Sequence, residues 1–238
     1  MSKSQAQIAA NKERVRNRLT TDISQWSREC LLPYPPEFEH SIDLLLQAAI
    51  LAQQGGEQRV KEARLLIKEM ADADMRSWFD DLGQNSGKVR LEILNRAPKK
   101  LVGNKSQKRP TAKLENQIIQ AQGFHCRYCG IRLVPNKQLL YLQELVGYEI
   151  LPNRSRKEKR TQNTDVHGIW LLTRAAVDHV EPVAQGGQDV NRIENLVACC
   201  WSCNYGKWKY TLKDLELDNP LCRPAKKTDW LGLTDIFP

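Results

Sequence analysis

Asp178-His179-Val180-Glu181-Pro182, Gly186-Gly187, Asn195-Leu196-Val197 and Cys200-Trp201-Ser202-Cys203-Asn204 follow one another within residues 178–204. An acid–imidazole pair, a tight turn, a strand of buried character and a thiol pair running into an amide share that short span. A second thiol pair, Cys126-Arg127-Tyr128-Cys129, stands upstream with Gly130 behind it. The two-residue gap lets both sulfurs of a pair reach one ion from a tight turn. Two such pairs complete the closed tetrahedral shell of a structural zinc ion, so Cys126, Cys129, Cys200 and Cys203 are read as its ligands. A closed shell leaves no open position; such an ion holds distant segments together and takes no part in a reaction. Gly130 suits a turn that needs positive φ. Cys199 has the wrong spacing to Cys203 and reads as a small apolar residue. Cys30 and Cys222 lie outside any cluster. His125 reads as a surface neighbour of the first pair, with replacement of a thiolate as the alternative.

Asp178 and His179 are placed at the end of a strand. Successive side chains alternate faces, but a twisted strand end can direct both towards one cleft. Asp178 offers a hard oxygen to a divalent cation. His179 offers a base that titrates near neutrality, suited to deprotonating water. Asn204 can present an amide oxygen from the start of a helix. Carboxylate plus amide oxygen suits Mg²⁺ or Mn²⁺ better than zinc. Lys207 lies one turn along the same helix face, within reach of a phosphate. Asn195 can donate and accept, and can fix the loop that aims His179.

The charge is unevenly spread. Residues 1–98 hold 14 Lys+Arg against 14 Asp+Glu, whereas residues 99–238 hold 22 against 14 and carry the whole net +8. The basic half is the half with the cysteine pairs, which fits a module that binds a polyanion; a solubilising surface is the plainer alternative. Two stretches concentrate the charge. Lys105, Lys108 and Arg109 lie in a basic linker over 99–110, and Arg154, Arg156, Lys157, Lys159 and Arg160 lie in a loop with almost no apolar residues. Both are read as contacts to a phosphate backbone. No apolar run is long enough to span a bilayer, and the first residues lack the apolar core of a secretion signal. A cytoplasmic protein is expected, and seven cysteines there point to metal ligation rather than disulfides.

Outside that half the pattern is helical. Residues 4–19 and a short segment capped by Thr20-Thr21-Asp22 read as helices. Residues 41–54 and 57–82 read as a helical hairpin turning at Gly55-Gly56. Thr111 caps a helix to about Gln122, residues 136–147 form another, and Gly168–Val180 reads as strand. The tail from about Leu212 packs across the surface. His167 reads as exposed, with approach to the site as the alternative.

Taken together, the two cysteine pairs, Asp178-His179, Pro182, Gly186-Gly187, Asn195-Leu196, Asn204 and Lys207 resemble the HNH endonucleases, the ββα-metal nucleases, in the branch with a cysteine-quartet zinc. The resemblance covers about residues 111–210. It implies that Asp178 is the first ligand of a catalytic ion, His179 the general base, Asn195 the residue that orients it, and Asn204 the second ligand. It implies hydrolysis of DNA to a 5′-phosphate product, in the setting of restriction, mobile elements or anti-phage defence. Trp208 stands where the family often has glycine. The expected fold class is α+β: a helical N-terminal domain over 1–98, a nuclease domain over 111–212 and a packed tail over 213–238. The helical domain is a candidate docking surface for a second protein subunit, and no membrane is involved. A catalytically silent nucleic-acid-binding or scaffold subunit, or a nuclease acting on RNA, is the alternative.

Overall fold

The computed structural model describes residues 27–97, 110–153, 166–183 and 191–238. The expected helices before residue 27, both basic stretches and Gly186-Gly187 lie outside the described residues. The architecture is α+β, rich in helix, with one two-stranded antiparallel sheet.

Helix α1 (Phe38–Gln54) buries Phe38, Ile42, Leu45, Ala48, Ala49 and Ala52 along one stripe. Gly55, at φ +70°, ends it, and α2 (Glu57–Glu69) folds back with Ala63 and Ile67 inward. The helix expected to run from 57 to 82 is two helices. Met70 is extended (ψ 149°) and buried, Ser41 Oγ takes the Ala71 N–H at 3.2 Å, and α3 (Asp72–Asp81) starts in a new direction. No proline or glycine marks this break. Tertiary contacts make it, because Asp72 Oδ1 accepts the Gly168 N–H at 2.6 Å, a partner 96 positions away.

Helix α4 (Ser86–Ile93) follows a short 3₁₀ turn, Gly83–Asn85. In the C-terminal half, α5 (Ala112–Ala121) is capped by Thr111 Oγ1 on the Leu114 N–H, and α6 (Asn136–Val146) ends at Gly147. Between them lies the first cysteine knuckle, closed by Cys126 N–H to Ile131 O at 2.9 Å and Gly130 N–H to Cys126 O at 2.8 Å.

Gly168–Val180 is not one strand. Residues Gly168–Thr173 form a helix, α7, every residue of which is buried, and strand β1 covers only Ala175–His179. A short apolar run has no alternation to separate a buried helix from a buried strand. Capping decides: His167 Nδ1 accepts the Ile169 N–H at 3.2 Å, and Asp72 takes the Gly168 N–H.

Strand β1 pairs antiparallel with β2 (Leu196–Cys200) in a register that sets Ala175 opposite Cys200, Asp178 opposite Val197 and His179 opposite Leu196. The outer edge of β2 is sealed by Gln122, which donates to Leu196 O and accepts from Ala198 N–H. Helix α8 (Trp201–Lys207) leaves β2 directly, completing a strand–strand–helix unit. After the short α9 (Leu212–Leu215), the tail crosses the knuckle. Arg127 donates to the carbonyls of Pro220, Arg223 and Pro224, Trp230 Nε1–H to Leu133 O, and Gln138 to Phe237 O.

Residues of both halves belong to one apolar cluster. Small residues let α4 and α8 come close. A Cβ on Gly87 of α4 would stand 2.3 Å from the Gly206 carbonyl oxygen of α8, and one on Gly206 would stand 2.7 Å from Gly83 O. Gly87→Ala must therefore push backbone against backbone. We expect it to lower stability by roughly 1–3 kcal/mol, as overpacking does, read as a lower urea midpoint at unchanged m.

Candidate metal centre and active site

The sulfurs of Cys126, Cys129, Cys200 and Cys203 converge from the knuckle and from the β2–α8 junction, all within 4.8 Å of one another. Zinc–sulfur bonds of about 2.3 Å at tetrahedral angles give a sulfur–sulfur edge of about 3.8 Å. Cys129 Sγ and Cys200 Sγ stand 3.8 Å apart. None of these cysteines forms a disulfide. Four thiols this close, three of them buried, cannot all ionise alone. Burial opposes ionisation of Cys126, but thiol hydrogen bonds from Cys129, Cys200 and Cys203 outweigh it and hold that thiol well below its usual range. Burial and the neighbouring sulfurs push Cys129 well up, and the neighbouring sulfurs and burial do the same to Cys203. Four sulfur donors converging on one point form a donor set that fits a thiophilic ion. Cys199 is fully buried and outside this quartet. His125 is buried rather than on the surface: its Nδ1–H donates to Gly123 O at 2.7 Å, inside the hairpin that shapes the knuckle.

Asp178 lies on the inward face of β1, among the buried charges. Two donors meet its Oδ2: the Tyr128 hydroxyl at 2.8 Å and the Lys207 ammonium at 3.0 Å. Burial, and then the Asp178 charge, raise Tyr128 well above its ordinary pKa, so it stays a phenol and donates. Lys207 is 0 % exposed and also donates to His179 O at 2.7 Å. The lysine expected to face a phosphate instead points inward and neutralises the carboxylate. A buried charge stripped of its partner costs about 3–5 kcal/mol, which is why the pair persists. No hydrogen bond among the described residues engages Asp178 Oδ1.

Asn204 sits three positions before Lys207 on α8, about one turn from it. His179, the last residue of β1, is half-buried. Its Nε2 meets Asn191 Oδ1 at 2.8 Å. An amide oxygen only accepts, so Nε2 carries the proton and the basic lone pair is on Nδ1. Asn195 clasps the chain just after His179. Its Oδ1 accepts the Glu181 N–H at 2.7 Å, its Nδ2 donates to Glu181 O at 3.2 Å, and its own carbonyl accepts the Val180 N–H at 2.9 Å. His167, expected on the surface, is buried at the start of α7, where burial lowers its pKa.

Two contributors have no signal in the sequence. Tyr128 occupies a position inside the knuckle where spacing constrains only the cysteines. Asn191 is one polar residue among several in its segment.

After α8 the chain turns sharply. Tyr210 N–H bonds to Lys207 O at 3.0 Å, and Trp208 stands at the first central position with φ +49° and ψ −119°. Those angles describe a type II′ turn, which favours glycine there. A residue with a Cβ in so sparse a region costs of order 1–3 kcal/mol.

A two-stranded antiparallel hairpin running into a helix, with an acid–imidazole pair on the first strand and a cysteine quartet at the strand–helix junction, defines the ββα-metal class of site. Residues 162–208 match the family model for HNH endonuclease, and the chain carries an HNH domain in its C-terminal half. The matched segment holds Asp178, His179, Asn195, the second cysteine pair, Asn204 and Lys207; the first pair lies ahead of it. No curated protein and no solved structure matches the chain. An HNH domain indicates a nuclease-type function on nucleic acid with use of a divalent metal. Among the described residues, no helix is long and apolar enough to cross a membrane.

Proposed function

We propose that this chain is a divalent-metal-dependent DNA endonuclease whose fold is clasped by a structural zinc ion on Cys126, Cys129, Cys200 and Cys203. The observation that carries the reading is the pinned carboxylate. Tyr128 and Lys207 hold Asp178 by Oδ2, and no hydrogen bond among the described residues engages its Oδ1, the oxygen proposed to share an ion with Asn204 of α8. A carboxylate oxygen with an amide oxygen is a hard donor pair suited to Mg²⁺ or Mn²⁺. When bound there, the ion would polarise the scissile phosphate and stabilise the leaving 3′-oxygen.

The chain's own residues do the rest. His179 takes a proton from water at Nδ1 while Asn191 holds Nε2–H. The hydroxide attacks phosphorus, the bond to the 3′-oxygen breaks, and the product keeps a 5′-phosphate. Asn195 positions the imidazole through the backbone of Val180 and Glu181. Lys105, Lys108 and Arg109, with Arg154, Arg156, Lys157, Lys159 and Arg160, are proposed to bind the phosphate backbone; all lie outside the described residues. The proposed setting is the cytoplasm, in restriction or anti-phage defence, and its support is the resemblance to stand-alone nucleases of those systems.

One observation favours a second reading. The Lys207 ammonium already neutralises Asp178, as a module that has given up its catalytic ion would require. That module would be a silent nucleic-acid-binding subunit. Incubating the purified protein with supercoiled plasmid and with structured RNA, in Mg²⁺, in Mn²⁺ and without divalent ion, separates the two. Nicking or linearisation of the plasmid that needs the ion is the expected result. Tight binding without cleavage of either substrate supports the silent subunit, and cleavage confined to RNA replaces DNA as the substrate.

A further inference from the structure

The helix that carries Asn204 and Lys207 also carries Trp201 and Tyr205, and Trp208 follows its last residue. Trp201 and Tyr205, four residues apart, share one stripe of the helix, and Trp208 stands at the turn that follows it. Tyr205 is 46 % exposed and Trp208 53 % exposed, although large aromatic side chains ordinarily find cover.

The stripe is built. Trp201 and Tyr205 meet nearly perpendicular at 5.8 Å, Phe79 of α3 meets Tyr205 in the same way at 6.2 Å, and Tyr210 meets Trp208 at 5.8 Å. Cations are interleaved with the rings. The Arg174 guanidinium lies 4.0 Å from the Trp201 centroid, and Lys209 Nζ 5.2 Å from that of Trp208. Trp208 holds a backbone conformation that glycine would adopt freely, and its ring is half in solvent. Burial therefore does little to offset the strain, and strain of this kind collects where a residue binds something.

We propose that Trp208 and Tyr205, steadied by Trp201, form a stacking platform for unpaired bases beside the scissile phosphate. The preferred substrate is then single-stranded or locally unpaired DNA. The inference rests on the nuclease reading and adds the substrate class. Rings alternating with cations match a strand that alternates π-faces with phosphates. Paired bases keep their faces covered in the stack and cannot use the platform.

The test uses the full chain carrying His179→Ala, so that substrates stay intact. Affinity is measured by fluorescence for a single-stranded deoxyoligonucleotide containing 2-aminopurine, and for a blunt duplex of the same sequence at the same salt. Trp208→Gly removes the ring and suits the turn, so the variant should fold at least as well as its parent. The expected result is about a tenfold or greater loss for the single strand, little change for the duplex, and partial recovery in Trp208→Phe. Unchanged single-strand affinity, or an equal loss on both substrates, overturns the platform. If the parent binds neither substrate, the nuclease reading falls with it; if it binds both and ignores Trp208→Gly, only the platform does.

Discussion

Replacing His179 by alanine is expected to reduce DNA cleavage by about 10²- to 10⁴-fold, the usual contribution of a positioned general base. Two features of the site support a loss near the upper end. The imidazole is oriented from one side by Asn191, at 2.8 Å from Nε2, so the free lone pair on Nδ1 has a fixed direction. The strand end that carries it is held by three hydrogen bonds to Asn195. A base held this way loses little orientation entropy at the moment of reaction. Binding to uncut DNA should change little, because the proposed phosphate contacts are cationic side chains elsewhere on the chain. The measurement is a single-turnover nicking rate at saturating Mg²⁺, paired with an affinity for the same duplex. Activity that survives the substitution within a factor of about three, too small for a lost general base, would remove His179 from the reaction.

Stripping the cysteine-bound ion is expected to unfold the C-terminal half, an effect on the fold larger than the loss of any one side chain from the site. Structural zinc in small domains contributes apparent binding energies of about 10–16 kcal/mol near neutral pH, more than the 5–15 kcal/mol by which most domains are stable at all. The geometry gives this consequence. The ion would join Cys126 and Cys129 to Cys200 and Cys203, and so tie the knuckle to the end of β2 and the first turn of α8. Losing that tie frees Tyr128 from Asp178 and α8 from β1, and with them Lys207 and Asn204. A strong zinc chelator should abolish the near-ultraviolet circular dichroism and the cleavage activity together. Adding Zn²⁺ back should restore both, and Mg²⁺ alone neither. Cys129→Ser should copy the chelated state, and metal analysis of the untreated chain should give about one zinc per chain for one four-ligand site. A chelated protein that keeps its native spectrum and still cuts in Mg²⁺ would show that the quartet holds no structural ion.

The two effects have different physical origins. In the proposed mechanism His179 acts on a barrier and leaves the fold alone, whereas the ion would act on the fold and affect the reaction only by keeping Asp178, His179 and Asn204 within one unit. For that reason the second test needs a structural readout beside the kinetic one.

Much of the site is legible in the sequence. Cysteine pairs two residues apart can be read because ligand geometry is local: a tight turn brings both sulfurs to one ion whatever surrounds it. The helices at Phe38–Gln54, Ala112–Ala121 and Asn136–Val146 are legible because each shows a helical apolar stripe ended by a glycine or opened by a cap. Asp178 and His179 are legible as a pair because side-chain chemistry and strand position both belong to the sequence.

Long-range contacts decided what was not. The helix at Gly168–Thr173 is as apolar as a buried strand, and an aspartate 96 positions away caps it. The break at Met70 follows from that same aspartate. Lys207 carries the same charge whether it meets a phosphate or Asp178, and only the packing of α8 on β1 chooses. Tyr128 reaches Asp178 across 50 positions. Sequence by itself thus determined which thiol, carboxylate, amide and imidazole groups stand at short spacing, because those are properties of residue types along the chain. Only the tertiary structure decided which buried groups pair and which side chains face outward. Those outcomes depend on the cost of leaving a charge or an N–H unpartnered in the interior, and the partner can stand anywhere along the chain.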